Sequence, residues 1–251
     1  MKEIDGVKYF NVEEISNKLG GKRFDQERIN SDFEKGIIKG KKIDGEWHTT
    51  AEQFGEYTET IENELVKFTE MKEIDLSDIK LDGRVLDIGG GGEGTIGQMI
   101  GRNVVAIDLR ESEFRESIES GDTESLKIIM DAKELKFMDN TFEAVSVFFT
   151  FLYIPKEDRL QVFKEIKRVL KPGGALLIWD LEIPEKSEKD TQSLYGIKLK
   201  IDIGKKKIET GYGTRWVQQD AQYYIDLAKT VGLKLEDKKV EKGIFYLKFK
   251  E

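Results

Sequence analysis

Short apolar runs alternate with helical patterns from residue 85 onward. The runs that indicate buried parallel strands are 85–88, 104–107, 126–130, 144–149 and 175–179. Between the fourth and fifth runs, Leu160, Phe163, Ile166 and Leu170 recur at helical spacing, and Pro155 is well placed at the helix start. Strands that alternate with helices predict an α/β fold with a doubly wound, largely parallel sheet.

Two further hairpins are predicted near the end of the chain. Residues 233–240 and 244–250 flank Glu241-Lys242-Gly243 and would bring the main sheet to seven strands. Apolar residues alternate with polar ones over 195–203, and residues 207–214 can return antiparallel, which predicts an inserted hairpin near 194–214. Its exposed face could cover a substrate, or its edge could pair in a dimer.

The first 57 residues show a different pattern and are expected to form a separate small domain. Asn11 and Glu14 predict a capped helix from Val12, and residues 24–35 predict a second. Asp44-Gly45 predicts a hairpin turn. A third helix is expected over 51–57. The second domain is expected to span residues 58–251, and its first segment, 58–71, is polar with apolar residues at helical spacing and is expected to link the two domains.

The candidate chemistry begins at the first apolar run, which leads into four consecutive glycines, Gly89 to Gly92, followed by Gly94. The next run ends at Asp108. This order of strand, glycine loop, helix, strand and acid is typical of folds that bind a nucleoside-containing cofactor. Taken alone, it also fits a nicotinamide or flavin cofactor, or a tight turn with no ligand.

Composition narrows the classes of protein. The chain has 251 residues, a net charge of −8 and no cysteine, which excludes disulfides and thiolate metal sites. We expect no metal. No apolar run approaches a membrane span, and the N-terminus lacks the apolar core of a secretory signal, so we expect a cytoplasmic protein. The acidic balance argues against a protein that coats nucleic acid.

Several ordered motifs carry a family resemblance. They are Val85-Leu86-Asp87-Ile88-Gly89, Asp108, Asp131-Ala132, Phe137-x-Asp139-Asn140-x-Phe142 and Leu170-Lys171-Pro172-Gly173-Gly174. Together they resemble the motifs of class I S-adenosylmethionine-dependent methyltransferases, especially the ubiquinone-biosynthesis-type group. The resemblance implies a Rossmann-like fold and S-adenosyl-L-methionine as cofactor. The glycine loop departs from the family pattern at one position. Where the family has a glycine two residues after Gly91, this chain has Glu93, and the glycine follows one residue later as Gly94.

The resemblance also implies which residues contact the cofactor. They are Asp87, Gly89, Gly90, Gly91, Gly94, Asp108, Leu109, Asp131, Ala132 and Phe149. In the family, the first acid orders the loop and meets the cofactor's amino group, Asp108 binds the ribose hydroxyls beside Leu109 at the adenine, and Asp131 accepts from the adenine amino group. Phe149 would lie near the methionine end. From the residues alone, the alternatives are that Asp131 caps a strand end and that Phe149 is a core aromatic.

The methyl acceptor is expected to be a small organic molecule in a partly aromatic pocket. Candidates for its walls are Tyr153, Trp179, Tyr212 and Trp216. A general base is required only for hydroxyl, carbon-acid or protonated amine acceptors, and Tyr153, Asp180 or Glu182 would be best placed. Asp180 could instead cap a strand end. The absence of cysteine excludes cytosine C5 methylation by a thiolate.

The order of elements in the first domain resembles the excisionase-type winged helix-turn-helix. The matching residues are Val12-Glu13-Glu14-Ile15 in the first helix and Ile43-Asp44-Gly45-Glu46-Trp47 in the wing. Residues 18–42 hold eight basic and four acidic side chains, a balance of 8 − 4 = +4. The candidates for phosphate contacts are Arg23, Arg28, Lys35 and Lys42. A docking, lid or dimer element is the alternative, with Trp47 and Phe54 as an exposed aromatic patch.

These observations favour an enzyme that transfers a methyl group from S-adenosylmethionine to a small organic acceptor, and they allow a homodimer. Two other interpretations stay open. One is a DNA-binding transcription regulator that senses S-adenosylmethionine without turnover, and the other is a nicotinamide-dependent oxidoreductase. The first would couple the cofactor to the N-terminal domain, and the second would bind NAD.

Overall fold

The computed structural model describes residues 2–4, 6–19 and 24–251, which divide into two compact units. The units span residues 1–66 and 67–251. The division lies later than the expected boundary after residue 57, because the helix that begins at Ala51 runs on to Leu65 without a break. Its residues Tyr57 and Ile61 are buried in the core of the first unit, so this segment is not a linker.

The first unit combines a small antiparallel sheet with three helices. Its elements are β1 (Lys2–Ile4), β2 (Val7–Asn11), α1 (Val12–Lys18), α2 (Gln26–Glu34), β3 (Lys41–Ile43), β4 (Glu46–Thr50) and α3 (Ala51–Leu65). The strand order is β1-β2-β4-β3. Strands β1 and β2 were not predicted. The three predicted helices and the hairpin β3–β4 are confirmed, and the third helix is longer than predicted.

Local sequence signals explain these elements. The Asn11 side chain accepts from the Glu14 backbone, and the Glu14 carboxylate accepts from Asn11 N–H, which is the reciprocal cap expected from the sequence. The hairpin turn needs positive φ at both central residues, and Asp44 and Gly45 supply it with φ of 52° and 89°.

Trp47 and Phe54 do not form the exposed aromatic patch that the sequence suggested. Both side chains are only partly accessible. Trp47 stacks on Phe33 with ring centroids 5.2 Å apart, and Phe54 packs against Phe10 at 5.7 Å. Much of the apolar surface of these two side chains is therefore buried within the first unit.

The second unit contains two sheets. The seven-stranded sheet has the order β14-β15-β11-β10-β7-β8-β9 and consists of β7 (Val85–Ile88), β8 (Val104–Asp108), β9 (Leu126–Ile129), β10 (Phe142–Phe148), β11 (Leu170–Leu181), β14 (Lys234–Glu241) and β15 (Ile244–Lys250). The smaller sheet consists of β5 (Val66–Phe68), β6 (Lys72–Asp75), β12 (Leu194–Asp202) and β13 (Lys207–Arg215). The helices are α4 (Thr95–Ile100), α5 (Glu111–Ser120), α6 (Lys156–Val169) and α7 (Ala221–Thr230).

The predicted seven-stranded sheet is confirmed, with β7, β8, β9, β10 and β11 parallel and the C-terminal hairpin antiparallel. One face packs on α6 and α7, with Phe163 and Tyr224 at the centre of that core. The other face is covered partly by the smaller sheet, whose Ile197, Leu199 and Ile201 are fully buried. The inserted hairpin is therefore a structural layer of the domain.

The fifth strand differs most from its prediction. It spans Leu170–Leu181 rather than 175–179 and includes a bulge at Lys171 to Gly174, where the register with β10 shifts. At its other end β11 pairs with β15 as far as Leu181 opposite Ile244.

Among the described residues, no helix has the length and apolar character needed to cross a membrane.

Candidate functional site

A cavity of about 690 Å³ opens at the carboxyl ends of β7, β8, β9 and β10. This edge is where ligands bind in open α/β sheets, because the loops there diverge. Most of the sequence-predicted site residues line it, namely Asp87, Gly89, Gly90, Gly91, Asp108, Leu109, Asp131, Ala132, Phe149, Tyr153 and Tyr212. All belong to the second unit.

The glycine loop forms one wall, and its glycines are required by close contacts. A Cβ on Gly90 would lie 2.6 Å from Asp87 Oδ2, and a Cβ on Gly91 would lie 2.3 Å from the Cβ of Glu113. Gly94 does not line the cavity. It begins α4 in the left-handed region, and a Cβ there would lie 2.7 Å from the Cβ of Asp122. Its role in this structure is packing beneath the loop.

Asp87 lies at the floor of the cavity and is almost completely buried. Ser146 Oγ donates to its Oδ1 at 2.7 Å. Burial raises the pKa of Asp87 to about 7, and the nearby carboxylates of Asp122 and Asp108 act in the same direction, whereas the Ser146 bond opposes them. A cationic amino group placed against Asp87 would favour the ionised carboxylate.

Two further acids stand at the ends of neighbouring strands. Asp108 Oδ1 accepts the Arg110 N–H at 3.0 Å, and Asp131 Oδ1 accepts the Lys133 N–H at 2.8 Å. In both, the local bond engages one oxygen and orients the carboxylate. Leu109 also lines the cavity and is 67% exposed. An exposed leucine beside two oriented acids suits a flat, polar-edged ring system.

An adjoining wall is aromatic. Phe149 is buried with a left-handed φ of 48°, a conformation that costs a non-glycine residue energy and is held by its surroundings. Tyr212 stacks on it with centroids 4.9 Å apart and an angle of 5° between the rings. Tyr153 stands at the mouth and is 53% exposed. Desolvation of its hydroxyl raises the pKa of Tyr153 to about 12.

Sequence reasoning missed two residues at this site. Glu93 lines the cavity, and its carboxylate accepts hydrogen bonds from Thr210 and Tyr212 of β13. Thr95 also lines it, and its Oγ1 is buried without a hydrogen-bond partner among the described residues. A buried hydroxyl in this state is expected to meet a polar group of a ligand. Glu93 was noted only as a departure from the family pattern, and nothing local singled out Thr95.

Three predicted residues lie away from this cavity. Asp180 is fully buried and accepts from Leu152 N–H at 3.2 Å and Leu181 N–H at 2.7 Å. Trp179 lies behind Phe148, on the face of the sheet that the smaller sheet covers, and packs between Phe148 and Tyr246. Trp216 packs on Tyr195, and its Nε1 donates to the Gln192 carbonyl. None of the three is placed to touch a ligand in the cavity.

The residues around the cavity fit S-adenosylmethionine. Oriented carboxylates offer acceptors for hydroxyl and amino groups, glycines leave the loop backbone bare, and the buried Thr95 Oγ1 has no partner within the described part of the chain.

Comparison with known proteins agrees with a site for S-adenosylmethionine. A family model described as a methyltransferase domain matches residues 86–178. The Ubiquinone/menaquinone biosynthesis C-methyltransferase UbiE of Saccharophagus degradans is 26% identical over 221 residues, which cover 82% of this chain and 84% of the relative. Its counterpart from Teredinibacter turnerae is 27% identical over 205 residues, covering 77% of each chain. This chain is an S-adenosylmethionine-dependent methyltransferase.

Solved structures show the same fold. A SAM-dependent methyltransferase from Methanosarcina mazei superposes with a TM-score of 0.53 at 16% identity, covering 69% of this methyltransferase and 94% of that chain. The PH0226 protein from Pyrococcus horikoshii gives 0.52 at 21% identity, covering 70% and 85%.

Proposed function

We propose that this methyltransferase modifies a small organic acceptor with a flat, uncharged ring. The observation that supports this is the aromatic wall of Phe149, Tyr212 and Tyr153, which adjoins the loop and acids assigned to the cofactor. Aromatic walls bury flat apolar surface well. The names of the two relatives describe C-methylation in quinone biosynthesis, so an electron-rich ring carbon is the first acceptor to test.

S-adenosylmethionine supplies a methyl group already activated on a sulfonium. The residues of the chain then have to hold the two molecules in line and exclude water. We assign Asp87, Asp108 and Asp131 to the cofactor and the aromatic wall to the acceptor. Because the pKa of Tyr153 is raised to about 12, its phenol stays protonated at neutral pH and donates a hydrogen bond rather than removing a proton.

Cofactor binding tests these assignments directly. Calorimetry should show binding of S-adenosylmethionine and S-adenosylhomocysteine and none of NAD. Asp108→Ala should weaken binding by about 1–3 kcal/mol, the usual cost of leaving buried ligand hydroxyls without a partner. Asp237→Ala on the exposed strand β14 is the matched control and should bind as the wild type does. NAD binding without a response to S-adenosylmethionine would support the oxidoreductase instead.

The acceptor class is tested with labelled cofactor. We expect turnover with small phenols and hydroquinones, and no turnover with carboxylates or phosphates of similar size, because the cavity carries more acids than bases on its wall. A complete absence of turnover, together with a DNA affinity that changes when S-adenosylmethionine is added, would favour the sensor function.

For the first unit we propose an excisionase-like winged helix-turn-helix that serves mainly for docking. Helix, helix, hairpin and helix follow in the required order, which supports the fold. The charge available for phosphates is smaller than the sequence suggested. Arg28 pairs with Glu64 at 3.1 Å and with Asp32 at 3.5 Å, and Lys39 pairs with Glu56 at 2.8 Å. Arg23 lies outside the described residues.

Salt dependence decides between docking and nucleic-acid binding. If the unit binds DNA, Lys35→Gln and Lys42→Gln in the full chain should each lower the salt slope of binding by about one, with no change in sequence preference. Lys238→Gln on strand β14 serves as the control. We expect no specific DNA binding by the wild type at physiological salt. The homodimer and the cytoplasmic location stay predictions.

A further inference from the structure

Strand β13 carries hydroxyl side chains at three alternate positions, Thr210, Tyr212 and Thr214. Residues two apart on a strand share a face, and these three point toward the rim of the cavity. Tyr212 donates to Glu93 Oε2 at 2.9 Å, Thr210 donates to the other oxygen of the same carboxylate, and Thr214 Oγ1 donates to the Leu152 carbonyl at 3.1 Å. The strand is thus attached to the cofactor side of the cavity by a row of hydrogen bonds.

Two of these three bonds end on Glu93, which belongs to the glycine loop. Its neighbours Gly92 and Gly94 both have left-handed φ, 58° and 59°. Its own carbonyl accepts Gln98 Nε2 at 2.6 Å. In this structure the carboxylate reaches β13 with both glycines in this conformation. Its direction therefore follows the conformation of the loop whose backbone, at Gly89 to Gly92, lines the cavity.

The bond to Glu93 also fixes the aromatic wall. Tyr212 has its ring against Phe149 and its hydroxyl on the carboxylate, so both ends of the side chain are held. A hydrogen bond to a charged acceptor is stronger and more directional than a neutral one. Without it, stacking alone would leave the ring free to slide along Phe149.

We propose that Glu93 is a positioning residue that couples cofactor binding at the glycine loop to the ordering of β13 and of the Tyr212 ring that it carries. A ligand that stabilises the loop conformation stabilises the two bonds to β13. By linkage, an ordered β13 favours the same ligand in return. The assignment of the aromatic wall to the acceptor rests on the proposed function, but the coupling itself can be measured with S-adenosylhomocysteine alone.

Amide hydrogen exchange on the full chain, with and without saturating S-adenosylhomocysteine, tests the coupling. In the wild type, both the glycine loop and residues 207–215 should exchange more slowly with the ligand, by roughly tenfold or more in the hairpin. In Glu93→Gln, where a neutral amide replaces the charged acceptor, the loop should still be protected, and part of the protection of 207–215 should be lost. Tyr212→Phe keeps the stacked ring, removes the hydroxyl and should give the same partial loss.

Glu116→Gln is the matched control, since Glu116 also lines the cavity but lies on helix α5 and has no hydrogen bond to β13 within the described residues. It should retain the protection seen in the wild type. Equal protection of 207–215 in the wild type, Glu93→Gln and Tyr212→Phe, with ligand bound to all three, would overturn the coupling and leave the proposed function intact. Failure of the wild type to bind S-adenosylhomocysteine would contradict the cofactor assignment.

Discussion

Gly91→Ala is expected to reduce cofactor affinity by about 1–3 kcal/mol, roughly 5- to 150-fold, the cost of forcing one extra carbon into a filled space. The added Cβ would lie 2.3 Å from the Cβ of Glu113 and 3.0 Å from Asp108 Oδ2. The Glu113 Cβ is anchored to helix α5 and cannot swing aside as the end of a long side chain would. The loop has to move instead, and the movement also displaces the acid assigned to the ribose.

The loss in methyl transfer should exceed the loss in affinity, because in-line transfer is sensitive to shifts well below 1 Å and such misplacement costs on the order of 100-fold in rate. Calorimetry with S-adenosylhomocysteine and single-turnover rates would separate the two effects. Gly211→Ala is the matched control on the same cavity, since its Cβ would meet only ordinary contacts, the nearest at 3.5 Å from the Ile197 carbonyl oxygen. Unchanged affinity in Gly91→Ala would mean that the loop does not hold the cofactor.

The acids at this site could be predicted because a simple rule connects sequence and position. Asp87, Asp108 and Asp131 lie at or near the ends of three apolar runs, and the carboxyl ends of parallel strands meet at one edge of a sheet. The same rule fails at Trp179 and Asp180. Strand β11 continues to Leu181 through its pairing with β15, so Asp180 lies inside the strand rather than at its end.

Trp179 shows a second limit. Side chains alternate between the two faces of a strand, and Trp179 lies on the face that packs with Phe148 and Tyr246. The apolar run 175–179 cannot show which face a residue takes, because both faces of the strand are buried. The hydrogen-bond partners of Glu93 could not be predicted from the sequence either, because Thr210 and Tyr212 are 117 and 119 residues away along the chain.

The buried Asp180 leads to a prediction about stability and pH. Burial raises its pKa to about 7, although the positive charge of Arg159 and the bonds from Leu181, Leu152 and Gln219 oppose the shift. An aspartate in the unfolded chain has a pKa of about 3.9. Between these values the folded state holds a proton that the unfolded state has released, so the contribution of Asp180 to stability is complete below about pH 4 and is lost as pH rises through about 7.

Asp87 and Glu113 also have raised pKa values because of burial and act in the same direction. We therefore expect the free energy of unfolding of the wild type to fall between pH 5 and pH 8. Asp180→Asn keeps an acceptor for the Leu152 N–H but cannot ionise, so its stability should fall less over this range, by about 1–4 kcal/mol. Chemical denaturation at several pH values measures the slope.

Asp190→Asn is the control for this experiment. The ion pair with Lys67 and the hydrogen bonds from Ser187 lower the pKa of Asp190 to about 2, so this carboxylate is charged throughout the range and its replacement should shift the curve without changing its slope. Parallel curves for the wild type and Asp180→Asn would show that Asp180 is ionised at pH 5. In that case the hydrogen bonds from Leu181, Leu152 and Gln219, together with the attraction of Arg159, would outweigh burial.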